Sequence, residues 1–320
     1  GFIMVELLIQ NGNTIYAPLI VEGMTLDLER KQTGKLTFNV LKDDVLNFTE
    51  GNSVSLKVDG QPMFYGFVFS KQRDKTNNIK VVAYDQMRYL KNKDTYVYSN
   101  KKASELVKMI AEDFKLKLGD VEDTGFVIQK KVEDNQTLLD IILNALDDTL
   151  LQTKKLFVLY DDFGKLTLKN VETLKLGLVI DEETGENYDY TSSIDSQTYN
   201  KIKLAYENEE TGKRDIFIAQ DGNNINNWGV LQFFDTLNDP AQGKVKADAL
   251  LSLYNRKTRK LQIKGAFGDV RVRAGSAVIV KLNLGDIVLG SFMMVEKVRH
   301  NFNESFHQMD LTLRGGDFLG

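Results

Sequence analysis

The 320-residue chain contains no cysteine, and this absence excludes a disulfide framework and any thiolate metal site. Histidine is almost as scarce, because His300 and His307 are the only two. A protein metal site usually needs three or four ligands, so two histidines by themselves do not predict one. We therefore expect neither a bound metal nor a cofactor.

Long hydrophobic runs and an excess of one charge are also missing. The apolar stretch 176–180 is far shorter than the roughly 20 residues that a membrane-spanning helix needs, and no basic segment followed by an apolar one opens the sequence. The chain has 41 basic and 45 acidic residues, a net charge of −4, and no long basic stripe. We therefore expect no membrane span, no signal peptide and no nucleic-acid partner.

The first 95 residues have a pattern typical of β-structure. Apolar and polar residues alternate in stretches that begin at Val5, Leu36 and Val54. The pairs Asn11-Gly12 and Asp59-Gly60 favour tight turns. Short alternating strands with such turns predict a small barrel or sandwich.

The central part of the chain predicts two helices. Apolar residues recur at helical spacing over residues 103–114, and Asn100 is the expected cap of this helix. A second helix is predicted around residues 138–150, with Asn135 as its cap. The apolar arc of the second helix is wide, which indicates burial between other elements.

Beyond these helices the pattern returns mainly to strands. A hairpin is predicted around the turn 161–164, and the acid-rich stretch 181–196 indicates an exposed connection. Pro240 favours the start of a helix over about residues 239–260, because proline is well tolerated in the first helical turn. Strands are predicted over residues 261–314.

These patterns predict an α+β protein that is mainly β. Two small β-barrel-type domains, residues 1–95 and 196–320, are expected to flank a helix-rich insert. The insert, residues 96–195, also holds the hairpin and a linker, and the helix at 239–260 belongs to the second β-domain.

Several acidic motifs are candidates for catalytic groups. The run Asp161-Asp162-Phe163-Gly164 contains the letters of the kinase magnesium motif, but the other kinase motifs are missing, so a hairpin turn is the better interpretation. A glycosidase needs two carboxylates about 5–10 Å apart across a cleft, one with a raised pKa. The pair Asp147-Asp148 and the run Glu207–Glu210 are predicted to be solvated surface.

Three residues are candidates for interfaces with other chains. Trp228 lies in the polar stretch 223–229, where it could be a core anchor or an interface residue, and we favour the interface. His300 and His307 are predicted on neighbouring antiparallel strands, where they fill a polar gap or contact another subunit. No catalytic, cofactor-binding or metal-binding residue is predicted.

Five segments occur in an order that is similar to a known family. They are residues 81–90, with Tyr84-Asp85 and Tyr89-Leu90; the helix 103–114; the hairpin 157–166; and the strands 290–302 and 306–313, each containing a histidine. This series resembles the baseplate hub proteins of contractile phage tails and tailocins, in the late-control-gene-D-like form of Gram-positive prophages. The resemblance spans nearly the whole chain.

The resemblance implies a structural protein that is not an enzyme. Hub proteins of this kind form a homotrimeric ring with two related barrels per subunit, so that a pseudo-sixfold face joins the sixfold tail tube to the threefold spike. The implied partners are the tail tube protein, the cell-puncturing spike protein and other baseplate proteins. The implied location is the tail baseplate of a virion or tailocin, assembled in the host cytoplasm and released by lysis. Puncturing and wall cutting are expected on partner proteins.

Two other functions remain open at this point. One is a tail-associated peptidoglycan hydrolase, a glycosidase that would use a carboxylate pair hidden among the acids. The other is a host-surface or glycan-binding module, which would need an exposed aromatic platform. The position and accessibility of the carboxylates and aromatic rings distinguish these alternatives.

Overall fold

The computed structural model describes residues 3–285, 290–303 and 306–315. The N-terminal part consists of seven strands: β1 (Val5–Asn11), β2 (Thr14–Tyr16), β3 (Ile20–Glu29), β4 (Lys35–Leu41), β5 (Ser53–Val58), β6 (Gln61–Arg73) and β7 (Asn78–Tyr84). Their inward residues alternate with outward ones, as a half-buried strand requires. A 3₁₀ turn, Gln86–Lys91, then leads out of this part.

The central part combines a two-stranded ribbon, two helices and a small sheet. Its elements are β8 (Lys93–Lys102), α1 (Ala103–Asp113), β9 (Leu118–Val121), β10 (Val127–Thr137), α2 (Leu138–Thr153), β11 (Phe157–Asp162) and β12 (Lys165–Asn170). Strands β8 and β10 pair antiparallel, whereas β12 pairs with β11 on one side and with β9 on the other. The helices bury their apolar faces between these strands.

The remaining elements form a second small sheet and complete the large one. They are β13 (Lys175–Ile180), β14 (Asn187–Ser193), β15 (Lys201–Asn208), β16 (Lys213–Gln220), α3 (Gly222–Trp228), β17 (Gln232–Thr236), α4 (Gly243–Tyr254), β18 (Thr258–Phe267), β19 (Ala277–Val280), β20 (Ser291–Asn303) and β21 (Phe306–Gly315). Strands β15, β16 and β17 form a three-stranded sheet that α4 covers.

A single sheet of 13 strands joins the two ends of the chain. Its order is β14-β18-β21-β20-β3-β4-β7-β6-β5-β1-β2. Off this path, β19 pairs with β20 and β13 pairs with β19. The long strand β20 makes this continuity possible, because its first residues pair with β19 and its later residues, Lys297 to Phe302, pair with β3. Two ion pairs cross this seam, Arg30–Glu296 at 2.9 Å and Arg299–Asp27 at 2.7 Å.

The predicted fold class, α+β and mainly β, is confirmed. Closed barrels are not found: within the described ranges the β-regions form an open ladder that the β3–β20 pairing connects. Each β-region nevertheless has its own buried apolar cluster. The domain limits at residues 95 and 195 remain predictions.

The helix predicted over residues 239–260 is wrong at both ends, because α4 covers only Gly243–Tyr254. The side chain of Asp239 does not cap a helix but accepts a hydrogen bond from the backbone N–H of Ala241, which forms a turn. At the other end the chain enters β18 at Thr258.

The predicted helix caps Asn100 and Asn135 are also wrong. Both residues lie in the β8–β10 ribbon with left-handed backbone angles, φ 52° and 51°, which asparagine tolerates better than most residues. The first helix begins after Lys102, and the second is capped by Thr137, whose hydroxyl accepts a hydrogen bond from Asp140 N–H.

Several strands were missed, among them β2, β3, β9, β13 and β17, and one connection was misread. The ribbon strands β8 and β10 were not predicted, and the acid-rich stretch 181–196 contains β14, which pairs with β18 along its whole length. Most side chains of β14 are exposed, so its polar sequence is compatible with an edge strand. In the described ranges no helix is both long and apolar enough to cross a membrane.

Candidate functional site: a polar junction and a histidine pair

A buried polar cluster lies where three parts of the chain meet. Asp85 follows β7 directly and is almost fully buried. Its Oδ2 accepts a hydrogen bond from Gly34 N–H at 3.1 Å, and its Oδ1 accepts one from Met87 N–H at 3.0 Å. Asp85 thereby caps the 3₁₀ turn and ties it to the loop between β3 and β4.

The hairpin of β11 and β12 supplies a second carboxylate, Asp161. Its Oδ1 accepts a hydrogen bond from Gly164 N–H at 2.7 Å, whereas its buried Oδ2 has no hydrogen-bond partner among the described residues. Arg273, from the segment between β18 and β19, donates to the Asp161 carbonyl oxygen at 3.3 Å and stacks over the ring of Tyr160. The junction therefore joins both β-regions to the central hairpin.

Gln86 locks the same hairpin in place. Its Nε2 donates to the carbonyl oxygens of Lys117 and Gly164, both at 2.9 Å, and its Oε1 accepts from Lys117 N–H. The three bonds satisfy the Gln86 amide with backbone groups, which leaves this side chain no free donor for a ligand.

Burial changes the protonation of both carboxylates. Burial, together with the nearby charge of Asp161, raises the pKa of Asp85 well above its usual range. Burial also raises the pKa of Asp161 to about 6, despite its hydrogen bond from Gly164. A pair of this kind is what a glycosidase would need, so its accessibility decides whether it can serve as one.

The cavity beside these carboxylates is too small for a sugar. It has a volume of about 30 Å³, and its lining includes Asp85, Asp161 and Arg273 as well as Glu29, Arg30 and Gln32. This is room for about one water molecule, whereas pockets for small-molecule ligands are roughly 300–1,000 Å³. The Asp85–Asp161 pair therefore serves as a structural junction, and the runner-up hydrolase function finds no support there.

Part of this junction could have been predicted from the spacing of residues along the strands. Asp85 lies four and two residues after the buried Val81 and Ala83, and Asp161 lies four and two residues after the buried Phe157 and Leu159. Since alternate residues of a strand share a face, this spacing places Asp85 on a buried face, whereas Val158 is buried as well and the spacing does not decide the face of Asp161. The hairpin turn at Gly164 itself is confirmed, with φ +90°.

We expect Asp161→Asn to stabilise the protein at pH 7–8, by about 1–3 kcal/mol. The folded-state pKa of Asp161, about 6, lies above the ordinary value of 3.8, so the ionised carboxylate costs stability at neutral pH and protonation recovers it as the pH falls. The advantage of the variant should shrink below pH 6 and disappear near pH 4. Urea unfolding across this range measures it, with the exposed Asp162→Asn as the matched control. An advantage that does not change with pH would contradict the burial of the charge.

His300 and His307 are in direct contact. His300 Nδ1 and His307 Nε2 lie 2.8 Å apart across the β20–β21 pair, and His300 Nε2 lies 2.8 Å from the carbonyl oxygen of Val272. Since a carbonyl only accepts, His300 carries its proton on Nε2, and His307 Nε2–H donates to His300 Nδ1. That the two histidines fill a polar gap or contact another subunit remains a prediction.

Burial keeps both imidazoles neutral. Burial and the neighbouring His307 lower the pKa of His300 to about 3, and burial lowers the pKa of His307 to about 4. The ring of His307 also stacks on Phe302 at a centroid distance of 4.4 Å. In the part of the chain that the structure describes, no group of three or more His, Asp or Glu side chains is placed to hold a metal ion.

Trp228, from the polar stretch 223–229, lies at the last position of the short helix α3, and its side chain is partly buried. The short helix is capped by Asp221, whose Oδ1 accepts hydrogen bonds from the N–H groups of Asn223 and Asn224. Asn255, at the end of α4, donates to Asp221 Oδ2 and fixes α3 against that helix. Trp228 is therefore on a defined element with part of its surface free, which keeps its interface role a prediction.

The pattern of the YQBQ-like family matches residues 24–314, which is most of the chain. The chain belongs to the YQBQ-like family. Two relatives from Bacillus subtilis (strain 168) are each 30% identical to this chain over 323 residues, and each alignment covers 97% of this chain. They are the uncharacterized protein YqbQ, covered to 96% of its length, and the phage-like element PBSX protein XkdQ, covered to 97%.

The fold of this YQBQ-like chain also occurs in a solved structure. The prophage MuSo2 43 kDa tail protein from Shewanella oneidensis superposes with a TM-score of 0.72, covering 99% of this chain and 98% of that one. Sequence identity between the two is 11%, so the likeness is one of fold. The two chains therefore share this fold over nearly their whole length.

Proposed function

We propose that this YQBQ-like protein is a structural hub protein of a phage-tail or tailocin baseplate. In this role three copies form a ring that adapts the sixfold tail tube to the threefold spike. The observation that carries the proposal is the end-to-end likeness to XkdQ, a protein of a phage-like element, and to a prophage tail protein. The resemblance of the sequence segments to hub proteins supports the finer role.

The layout of the chain suits the mismatch in symmetry that a hub must bridge. One surface has to repeat six times while the chain repeats three times, so each chain must offer two comparable β-regions. The large sheet contains two β-regions with separate apolar cores, joined by the β3–β20 pairing. A closed ring follows when the contact between neighbouring copies rotates each by a third of a turn.

The proposed protein performs no catalysis and holds no cofactor. The buried carboxylate pair faces a cavity of about 30 Å³. The two histidines form a hydrogen bond with each other, and His300 also forms one with the carbonyl oxygen of Val272. Its proposed partners are the tail tube protein, the spike protein and other baseplate proteins. Its proposed place is the baseplate of the particle, assembled in the host cytoplasm and released by lysis.

A copy-number measurement on intact particles tests this function. An affinity tag on the chain should co-purify tails, and electron microscopy with quantitative mass spectrometry should place three copies at the junction of tube and spike. Particles that lack the chain would refute the proposal. A copy number in the range of the tube protein, many per tail, would refute it as well.

We expect Trp228→Ala to weaken incorporation into particles while the isolated protein keeps its fold. A partly exposed tryptophan on a fixed helix is the kind of residue that dominates an interface, and its truncation typically weakens binding by about 2 kcal/mol or more, over tenfold. Incorporation is measured from the tagged chain in purified tails. Val245→Ala, an exposed apolar change on α4, is the matched control. Normal incorporation of the Trp228 variant would remove this residue from the interface.

A further inference from the structure

An aromatic groove lies on the outer face of β6. Tyr65 and Phe67 point outward from this strand, and Tyr89 from the 3₁₀ turn packs against Phe67 at a centroid distance of 6.1 Å. With Phe114 and Leu116 from the loop after α1, these rings enclose a groove of about 310 Å³. This volume accommodates the side chains of a short segment of another chain.

The groove is surrounded by cations that have no acidic partner. Lys115 and Lys117 line it and are exposed, whereas Arg88 lies 5.5 Å from the centre of the Phe69 ring and Lys57 lies 5.9 Å from that of Phe163. None of these four forms an ion pair with a described residue, and no aspartate or glutamate lines the groove. This positive potential would attract a negatively charged partner.

The two amide side chains of the groove already form hydrogen bonds to the backbone. Gln86 is satisfied by Lys117 and Gly164, and Asn92 Nδ2 donates to the carbonyl oxygen of Tyr89. Ring faces and ammonium groups fit a segment that combines carboxylates with aromatic side chains.

This chain itself contains a segment of that kind. Residues 181–195 carry six acidic side chains and no basic one, together with Tyr188 and Tyr190. Most of the acids are exposed, and β14 within this segment is the terminal strand of the large sheet, with one edge paired to β18. No described strand occupies its other edge.

The sheet order places the two features far apart in one chain. Six strands lie between β14 and β6, so they are distinct patches on the same subunit. A contact between two different patches is heterologous, and a heterologous contact is what generates a closed ring. On the basis of the proposed trimeric hub, we infer that the acidic edge segment 181–195 of one copy docks into the aromatic groove of the next copy.

Charge reversal tests this contact in complete particles. Lys115→Glu with Lys117→Glu should reduce the yield of assembled tails by about tenfold or more, because like charges then face each other. Glu182→Lys with Glu183→Lys should do the same, and the fourfold variant should recover assembly. Lys75→Glu with Lys130→Glu, an exposed pair away from the groove, should assemble normally. Circular dichroism and unfolding midpoints verify that each variant is folded.

The cysteine-free sequence permits a direct distance test. A chain with Lys117→Cys and Glu183→Cys should form disulfide-linked dimers and trimers in oxidised particles, and nothing larger than a trimer, because the ring closes. A chain with Lys75→Cys and Glu183→Cys should not cross-link. Absence of cross-links from Lys117→Cys/Glu183→Cys particles, despite normal incorporation, would overturn the contact.

The outcomes separate this contact from the function on which it rests. If particles lack the chain altogether, the hub function fails. If three copies are present but the reversal variants assemble normally, the function stands and the contact is wrong. If only the Lys115/Lys117 reversal blocks assembly and the charge swap does not rescue it, an acidic partner other than a second copy occupies the groove, and the inference is overturned.

Discussion

The substitution Gly66→Ala should lower the free energy of unfolding by about 2–4 kcal/mol. Gly66 lies in β6 against the paired strand β7. A Cβ at this position would overlap the carbonyl oxygen of Tyr84 and lie 2.7 Å from its carbonyl carbon. Both atoms belong to the backbone, so relief requires β7 to shift and its hydrogen bonds to weaken.

A second strand glycine provides the matched control for this experiment. Gly177 lies in β13, has an ordinary backbone angle, and has open space where its Cβ would be. Gly177→Ala should therefore change stability by no more than about 0.5 kcal/mol. Denaturant unfolding with equal m-values for all three proteins gives the comparison. Equal stability of the two variants would show that β6 and β7 are not packed as closely as described.

Acidification should destabilise the protein through the histidine pair. The folded-state pKa values, about 3 for His300 and about 4 for His307, lie below the ordinary value of 6.5. The unfolded chain therefore takes up protons first, so the contribution of the pair is complete above pH 6.5 and is lost as the pH falls towards 4. Since one pKa unit is about 1.4 kcal/mol, the loss by pH 4 should be on the order of 3 kcal/mol for each histidine, about 6 kcal/mol for the pair.

The structural reason differs between the two rings: His300 has no place for another proton, whereas His307 has an Nδ1 that is free among the described residues, and burial opposes its charge. A proton on His300 Nδ1 would face the N–H of His307, which already points at it, and His300 Nε2 already donates to Val272. His307→Phe keeps a ring against Phe302 and removes one titrating group. The variant should be less stable at pH 7, yet lose less stability than the parent between pH 6.5 and 4. Identical pH profiles would place the acid sensitivity elsewhere.

Local sequence patterns predicted most of the N-terminal strands, though not β2 and β3, and the existence of both central helices, because alternation and helical spacing are visible within a few residues. Helix starts were predicted less well. Asn100 and Asn135 have the chemistry of caps, but their tolerance of left-handed angles is used within the β8–β10 ribbon instead. The ribbon was missed since Val97 and Val132 face solvent, which breaks the expected alternation.

The long-range contacts of the candidate sites could be predicted only in part. The spacing of Asp85 and His300 along their strands places both on a buried face, and that information is local. The approach of Arg273 to Asp161, 112 residues away, depends on how separate strands assemble. The sequence placed His300 and His307 on neighbouring strands, whereas their contact and the partner role of Val272 came only from the fold.

The pairing of β3 with β20 has a consequence for biosynthesis. The ion pair between Asp27 and Arg299 joins residues 272 positions apart, so one edge of β3 stays open until almost the whole chain has left the ribosome. An unpaired strand edge in a nascent chain is exposed to wrong pairing with other chains. Native pairing over such a separation is also slow. Productive synthesis of this protein should therefore depend on chaperones that shield the N-terminal strands during translation.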